Sequence, residues 1–120
     1  MSKDLSIKEV AELGNITIRT LHYYDEIGLL IPSSKTEASY RRYTLDDLQR
    51  LWSILFLREL DFPLSQIKEI INEGELDNNF LNDQRELLLE KRRRLDRIIA
   101  SVDKTIERGF DVNMINVFNN

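Results

Sequence analysis

The most constraining feature of this sequence is a series of apolar residues at heptad spacing in its C-terminal half. The candidate seam residues are Leu81, Leu88, Leu95, Ile98, Val102 and Ile106. Such spacing, with charged residues in between, is typical of a coiled coil. A helix over about 79–108 would be ~45 Å long. The roughly 75 residues before it cannot bury so long and narrow a stripe. We therefore expect a homodimer, because a second copy of the chain is the most economical partner.

The charge of the chain argues against binding nucleic acid through a general positive field. The formal net charge is −4, with eight basic and nine acidic side chains in residues 1–60 and nine and twelve in residues 61–120. The basic run Lys91–Arg94 spreads around one helical turn, which favours a solvated face or interhelix pairing over a single DNA-facing stripe. Any contact with nucleic acid must therefore come from locally placed arginine and tyrosine side chains.

The composition excludes several other classes of protein. With no cysteine and one histidine, the chain has no disulfide, Cys-based zinc site or thiol chemistry, and we expect neither metal nor cofactor. No nucleophile–base pair, phosphate loop or carboxylate pair has a motif-like context, so an enzyme is not expected. No signal peptide or apolar run of transmembrane length is present, so we expect a cytoplasmic protein with no membrane partner.

Hydroxyl residues mark the starts of several helices in the N-terminal half. Ser6 and Thr44 are each followed by acids in the next turn, as in a capping box, and Thr17 supplies the hydroxyl without the acid. The predicted helices span about 7–13, 17–27, 45–60 and 66–72, the last capped by Ser65. Two extended runs, 29–32 and 39–43, flank the polar loop 33–38 and predict a hairpin.

The first two helices are separated only by Gly14–Ile16, which predicts a helix-turn-helix, although a generic pair of antiparallel helices shares this pattern. The predicted core residues are Ile7, Val10 and Ala11 on the first helix, Ile18 and Leu21 on the second, and Leu45, Leu48, Leu51, Trp52, Leu55 and Phe56 on the third. Periodicity thus predicts a mainly helical domain with a small hairpin.

The second helix has an exposed polar edge. With Leu21 facing the core, ~100° per residue turns Arg19 and Tyr23 outward, with Thr20 on a flank. Arginine can bind guanine or a phosphate, and tyrosine hydroxyls donate to phosphates. Tyr24 either contacts a phosphate or packs in the core with its hydroxyl at the rim. His22 suits a phosphate or surface contact better than a metal ion.

Three motifs together resemble the MerR family of bacterial transcription regulators. They are Arg19–Leu30 (RTLHYYDEIGLL), Tyr40–Tyr43 (YRRY) and Asp61–Leu64 (DFPL). The resemblance covers residues 5 to about 108 and is closest to the multidrug-type branch. It implies a mainly α fold, with a winged helix-turn-helix head followed by an antiparallel coiled-coil dimerisation helix. It also implies an activator that binds double-stranded promoter DNA with an over-long spacer and untwists it, so that RNA polymerase can engage.

The resemblance also implies roles for particular residues. Thr17, Arg19 and Thr20 would face the major groove, and Tyr23 and Tyr24 would hold phosphates, with His22 beside them. Tyr40, Arg41, Arg42 and Tyr43 would form the first wing, and Arg58 and Phe62 would serve the second wing. The family commonly has glycine where this chain has Asn15, Ser39 and Asp61, so serine would be strained if its position needs positive φ.

The expected organisation is a DNA-binding domain over 1–75, a dimerisation helix over 76–108 and a short apolar tail over 109–120. The drug-sensing domain of the resembling branch would begin about where this chain stops, so we expect an absent or minimal effector part. The metal-sensing cysteines of other branches are absent. An alternative is a dimeric scaffold whose tail binds a small ligand or a protein partner. Because the tail is apolar, binding of a hydrophobic small-molecule inducer stays an open alternative.

Overall fold

The protein is described by a computed structural model that covers residues 4–119. The chain forms two compact units, Met1–Leu76 and Asp77–Asn120, and we call the first the head. The head contains α1 (Ile7–Gly14), α2 (Ile18–Glu26), β1 (Ser34–Lys35), β2 (Arg41–Arg42), α3 (Leu45–Glu59) and α4 (Leu64–Asn72), and the second unit contains α5 (Asn78–Arg108) and a 3₁₀ helix (Val112–Phe118). Within residues 4–119 no helix is long and apolar enough to cross a membrane.

Side-chain caps start the first three helices, as the sequence predicts. Ser6 accepts from the Glu9 amide at 3.2 Å, and the Glu9 carboxylate accepts from the Ser6 amide at 3.0 Å. Thr17 caps α2, and Thr44 forms a capping box with Asp47 at the start of α3. Each cap satisfies amides that have no partner inside the helix. Hydroxyl-containing starts therefore predicted these helix boundaries correctly to within one or two residues.

The cap predicted for α4 is wrong. This helix begins at Leu64, with Pro63 in the cap position and no side-chain hydrogen bond to the first turn. Ser65 already lies inside the helix. Proline is well suited to this place because its φ is fixed near −65° and its missing amide hydrogen leaves no donor unpaired.

The core of the head gathers side chains from every helix and from the base of the hairpin. Its fully buried members include Val10, Leu21, Tyr24, Leu29, Leu30, Tyr43, Ile54, Leu57 and Ile67. Ile18 is 41% exposed, so its predicted place in the core is wrong. The core face of α2 is centred between Leu21 and Tyr24, and at ~100° per residue Ile18 lies about a quarter turn away from that centre.

The buried face of α3 also differs from the predicted one. Leu51, Ile54 and Leu57 are buried, whereas Leu45 is exposed and so is Trp52, whose ring stacks on Phe56 at a centroid distance of 5.1 Å. The sequence of α3 contains two overlapping apolar stripes, and both have helical spacing. Periodicity could not choose between them, because the choice depends on where α4 packs.

The hairpin lies slightly later than predicted. Ser34 pairs with Arg42 and Lys35 with Arg41, so β1 falls inside the segment expected to be a loop. The expected strand 29–32 instead places Leu29 and Leu30 in the core. A backbone bridge between Leu5 and Tyr43 ties the base of the hairpin to the segment before α1.

Three positions where the resemblance expects glycine have left-handed backbone. The φ angles are 50° at Asn15, 67° at Ser39 and 65° at Asp61. Asparagine and aspartate tolerate this region better than serine does, because their side chains bond locally to the backbone. Ser39 therefore turns the wing with some strain.

The second unit consists of α5 and the 3₁₀ helix packed on its end. Asp77 caps α5 through the Phe80 amide at 2.9 Å. None of the side chains of α5 is buried, and Leu88, Leu95, Val102 and Ile106 are exposed. The 3₁₀ helix is held to α5 through Met114, whose sulfur accepts from the Thr105 hydroxyl at 3.2 Å. The heptad stripe is therefore not buried within its own unit, although Ile98, Val102 and Ile106 line a cleft beside the 3₁₀ helix.

Candidate nucleic-acid interface

The exposed edge of α2 is built by the cap at its N-terminus. The Thr17 hydroxyl accepts from the Thr20 amide at 3.0 Å and lies 2.9 Å from the Thr20 hydroxyl. This pair of threonines fixes the first turn, from which Arg19 projects. Arg19 and Tyr23 are exposed, and the side chain of Arg19 makes no hydrogen bond or ion pair with the described residues. The edge is thus available to an external partner.

The two adjacent tyrosines have different surroundings. Tyr23 is exposed, whereas Tyr24 is only 2% exposed and its hydroxyl accepts a hydrogen bond from Arg58 Nη1 at 2.9 Å. Of the alternatives for Tyr24, the structure shows core packing. A phosphate cannot reach most of this side chain in the observed conformation, so Tyr24 is not among the residues that we propose contact nucleic acid.

Tyr43 is likewise a support of the wing rather than an exposed contact. Its side chain is 1% exposed, and its backbone exchanges hydrogen bonds with Leu5 at 2.8 and 2.9 Å. Burial, followed by the nearby Asp25 carboxylate, raises the pKa of Tyr43 above its ordinary value. The hydroxyl therefore stays protonated, and the ring anchors β2 to the core.

The wing, which is the hairpin of β1 and β2, carries two arginines that are held by acids of the helices. Arg41 Nη1 lies 2.7 Å from Asp25 Oδ2 of α2. Arg42 Nη1 lies 3.5 Å from the Glu9 carboxylate of α1. The pKa of Glu9 is lowered, first by the hydrogen bond from the Ser6 amide and then by smaller contributions that include Arg42. Each wing arginine thus links the hairpin to a helix.

A cleft of about 510 Å³ lies between α2 and the wing. Its lining residues are Ser6, Ile7, His22, Asp25, Pro32 and Ser39–Tyr43. His22, Tyr40, Arg41 and Arg42 thus lie on one cleft. Arg58 and Phe62, predicted for the second wing, do not line this cleft.

Asp47 stabilises the base of the wing. Its Oδ2 accepts from the Ser33 amide at 3.0 Å, the Ser33 hydroxyl at 2.8 Å and the Thr44 amide at 2.8 Å. Burial alone would raise the pKa of Asp47, but the hydrogen bonds from Thr44 and Ser33 outweigh it, and the pKa lies below its ordinary value. The carboxylate is therefore ionised and joins the loop before β1 to the start of α3.

Sequence reasoning missed the cations that hold the C-terminal end of α2. Arg50 Nε donates to the Leu29 carbonyl at 2.6 Å, and Lys68 Nζ donates to the Ile27 carbonyl at 2.8 Å. These carbonyls follow a helix end, where positive charge is favourable. Gly28 has φ 72°, and a Cβ built there would lie 3.4 Å from Lys68 Nζ. In the sequence, the only local indication of this helix end was Gly28, the residue that follows it.

Lys35 was also missed. It is exposed on β1, directly opposite Arg41, and makes no hydrogen bond or ion pair with any described residue. Its position could not be inferred because the strand was expected to be a loop. With Arg19, Tyr23, Tyr40 and Arg41 it completes an exposed set of hydrogen-bond donors on α2 and the wing.

Comparisons with known proteins agree with this fold. The chain matches a family described as "MerR HTH family regulatory protein" over residues 5–74 and one described as "MerR, DNA binding" over residues 48–108. The solved structure of the regulator SkgA from Caulobacter crescentus has a TM-score of 0.79 and 33% identity, covering 99% of this chain and 88% of that one. The solved structure of MtaN from Bacillus subtilis has a TM-score of 0.58 and 44% identity, and the match covers 84% of this chain and 96% of that one.

Curated relatives show the same similarity over a part of their length. The transcriptional activator mta of Bacillus subtilis is 45% identical over 101 residues, which is 83% of this chain and 39% of the relative. The transcriptional activator TipA of Streptomyces coelicolor is 40% identical over 111 residues, 91% of this chain and 44% of the relative. The chain thus spans less than half the length of these two proteins. It belongs to the MerR family of helix-turn-helix regulatory proteins.

Proposed function

We propose that this chain binds double-stranded promoter DNA as a homodimer and regulates transcription, without enzymatic activity and without a cofactor. The observation that carries the proposal is the exposed edge of α2, where Arg19 and Tyr23 project with no partner among the described residues, beside the wing donors Lys35, Tyr40 and Arg41. Donors of this kind suit phosphates and base edges, and they need no positive net charge on the whole chain.

Within this proposal the donors have different tasks. Arg19 reads a base in the major groove, because a guanidinium can donate two parallel hydrogen bonds to guanine. Tyr23, Tyr40 and Lys35 hold phosphates and set the position of the head on the duplex. Thr17 and Thr20 order the first turn of α2 and face the same groove. His22 lines the neighbouring cleft and serves as a further phosphate contact.

The dimer in this proposal forms through α5. The apolar stripe has the spacing of a coiled-coil seam and none of its residues is buried in its own unit, so an antiparallel α5 from a second copy is its proposed cover. Two heads then bind two half-sites related by the dimer axis. The names of the relatives mta and TipA support an activator. We propose that the dimer untwists a promoter whose spacer is too long, so that RNA polymerase can engage. The proposed location of this activity is the cytoplasm.

Selection from a random-sequence pool tests the proposal, because it can be carried out on a protein whose operator is not known. The purified protein is incubated with random duplexes at about 150 mM salt, and the bound fraction is sequenced after each round. We expect enrichment of an inverted repeat, with Arg19→Ala as the control that loses preference at one base per half-site. Absence of any enriched sequence, while the protein stays folded, would overturn the proposal.

A different observation supports a second candidate function for the C-terminal unit. An apolar cleft of about 310 Å³ lies between α5 and the 3₁₀ helix, lined by residues that include Val102, Phe110, Met114 and Phe118. A cleft of this size and character suits a small apolar ligand. Isothermal titration with hydrophobic cations distinguishes a ligand sensor from a scaffold. Saturable binding of the cation that changes the affinity of the protein for DNA supports a sensor. Binding of the cation by a protein that does not bind DNA supports a scaffold.

A further inference from the structure

We propose that Asp25 is a positioning residue for DNA binding, because its carboxylate holds Arg41 of the wing beside α2. This inference rests on the proposed function and deepens it. A carboxylate next to a polyanion should weaken binding through repulsion. Asp25 nevertheless increases affinity, because it orders a cation that would otherwise be mobile.

The geometry of the pair supports this role. Arg41 Nη1 lies 2.7 Å from Asp25 Oδ2, a short distance that is typical of a charge-assisted hydrogen bond. The side chains are 52% exposed for Arg41 and 26% exposed for Asp25. A guanidinium has five N–H donors, and this contact uses one nitrogen. Arg41 can therefore be held by Asp25 and still donate to a phosphate.

The register of the hairpin explains why such an acid is needed. Lys35 lies directly opposite Arg41 in the antiparallel pair, and both side chains are exposed. Directly opposite residues project from the same face of the ribbon, and like charges in such a pair destabilise it. Asp25 supplies the negative charge that lets two cations share this face. The same contact links the face to α2, the helix that carries Arg19.

Among the described residues no other acid bonds to Arg41, which makes the assignment specific. Glu9 is held by Ser6 and lies near Arg42, not Arg41. Glu26 follows Asp25 on α2 and is exposed, and its side chain makes no hydrogen bond or ion pair with the described residues. Glu26 therefore offers a matched control with the same charge at the neighbouring position. The opposite interpretation is that Asp25 masks Arg41 from DNA, and it predicts a change of opposite sign.

A double-mutant cycle tests the inference. Affinity is measured by fluorescence anisotropy for the duplex that the wild-type protein selects, and thermal melts check that each variant is folded. Asp25→Asn should weaken binding about 5–10-fold and make the dependence on salt shallower by about one phosphate contact. Asp25→Glu should restore part of the affinity. Glu26→Gln should not weaken binding.

The decisive comparison is the same change in an Arg41→Ala background. There the carboxylate has no cation to hold and only repels DNA, so Asp25→Asn should leave affinity unchanged or improve it. Equal weakening in both backgrounds would overturn the inference, since it would show a purely structural role. Tighter binding of Asp25→Asn in the presence of Arg41 would also overturn it and show masking. A wild-type protein that binds no duplex would overturn the proposed function itself, and this inference with it.

Discussion

Arg58 donates a hydrogen bond from Nη1 to the hydroxyl oxygen of Tyr24 at 2.9 Å, and so joins the last turn of α3 to α2. The ring of Tyr24 is buried in the head, while the arginine reaches it from an exposed position. Arg50 and Lys68 bind the Leu29 and Ile27 carbonyls just after α2, so three cations of α3 and α4 hold this helix and the residues that follow it. These three side chains therefore help to set the orientation of α2.

The two tyrosines should consequently respond differently to loss of the hydroxyl. Tyr24→Phe keeps the buried ring and loses the bond to Arg58, so the free energy of unfolding should fall by about 0.5–1.5 kcal/mol. Tyr23→Phe should change stability by less than about 0.5 kcal/mol. Urea denaturation of both variants measures the difference. Equal stability of the two variants would show that the Arg58 bond does not form in solution.

Arg19 and Tyr23 should differ in what they contribute to DNA binding. Arg19→Ala should cost about 1–3 kcal/mol on the selected duplex and flatten the preference at one base per half-site, because a bidentate contact to guanine discriminates between bases. Tyr23→Phe should lower affinity alike on selected and random duplexes, because phosphates carry no sequence information. Competition binding with single-base variants of the duplex measures both. The assignments are reversed if only the tyrosine change alters preference.

Leu95→Asp should separate the subunits. Leu95 lies in the exposed apolar stripe of α5, and a charge in the seam would have to be buried without a partner. Arg93→Asp is the control, because two residues along a helix turn a side chain by ~200°, away from the seam. Sedimentation equilibrium at micromolar concentration should give a dimer for the wild type and the control and a monomer for Leu95→Asp. A monomeric wild type would refute the coiled-coil interpretation.

The stability of the head should depend on pH through Asp47. Its folded-state pKa is lowered, so its contribution is fully present above the unfolded value, near the ordinary 3.8, and is lost as pH falls through the folded pKa. Asp47→Ala should cost about 1–3 kcal/mol at pH 7, because Thr44 and Ser33 lose their acceptor. Its unfolding free energy should also fall less steeply than that of the wild type below about pH 4. Exposed Asp46→Ala, one position earlier, is the control in urea denaturation at several pH values.

The parts of the fold that sequence predicted are those encoded within a few residues. The caps at Ser6, Thr17 and Thr44 pair a hydroxyl with an amide three residues later, so the signal and the contact lie in the same turn. Gly28 and the left-handed Asn15 are likewise local, because φ is a property of one residue. Local signals therefore located most helix boundaries correctly.

The parts that sequence did not predict depend on contacts between distant segments. Helical spacing predicted that Tyr23 points outward, but it left open whether Tyr24 binds a phosphate or packs in the core, and the burial of its side chain and its bond to Arg58 decide this. Asp25 and Arg41 are 16 residues apart, and no pattern in the sequence predicts that they form an ion pair. The DNA-facing roles of the candidate residues came from the resemblance and stay predictions. Their positions on one edge and one wing are what the structure adds.

The exposed ring of Trp52 has a practical consequence. It is the only tryptophan of the chain, and it lies half in solvent on α3 while stacked on Phe56. Intrinsic fluorescence excited at tryptophan wavelengths will therefore report the environment of one known surface. Any molecule that covers α3, whether a second copy of the chain or another partner, should shift the emission to shorter wavelength. Trp52 is thus an intrinsic fluorescence probe for the face of α3 that the sequence predicted to be buried.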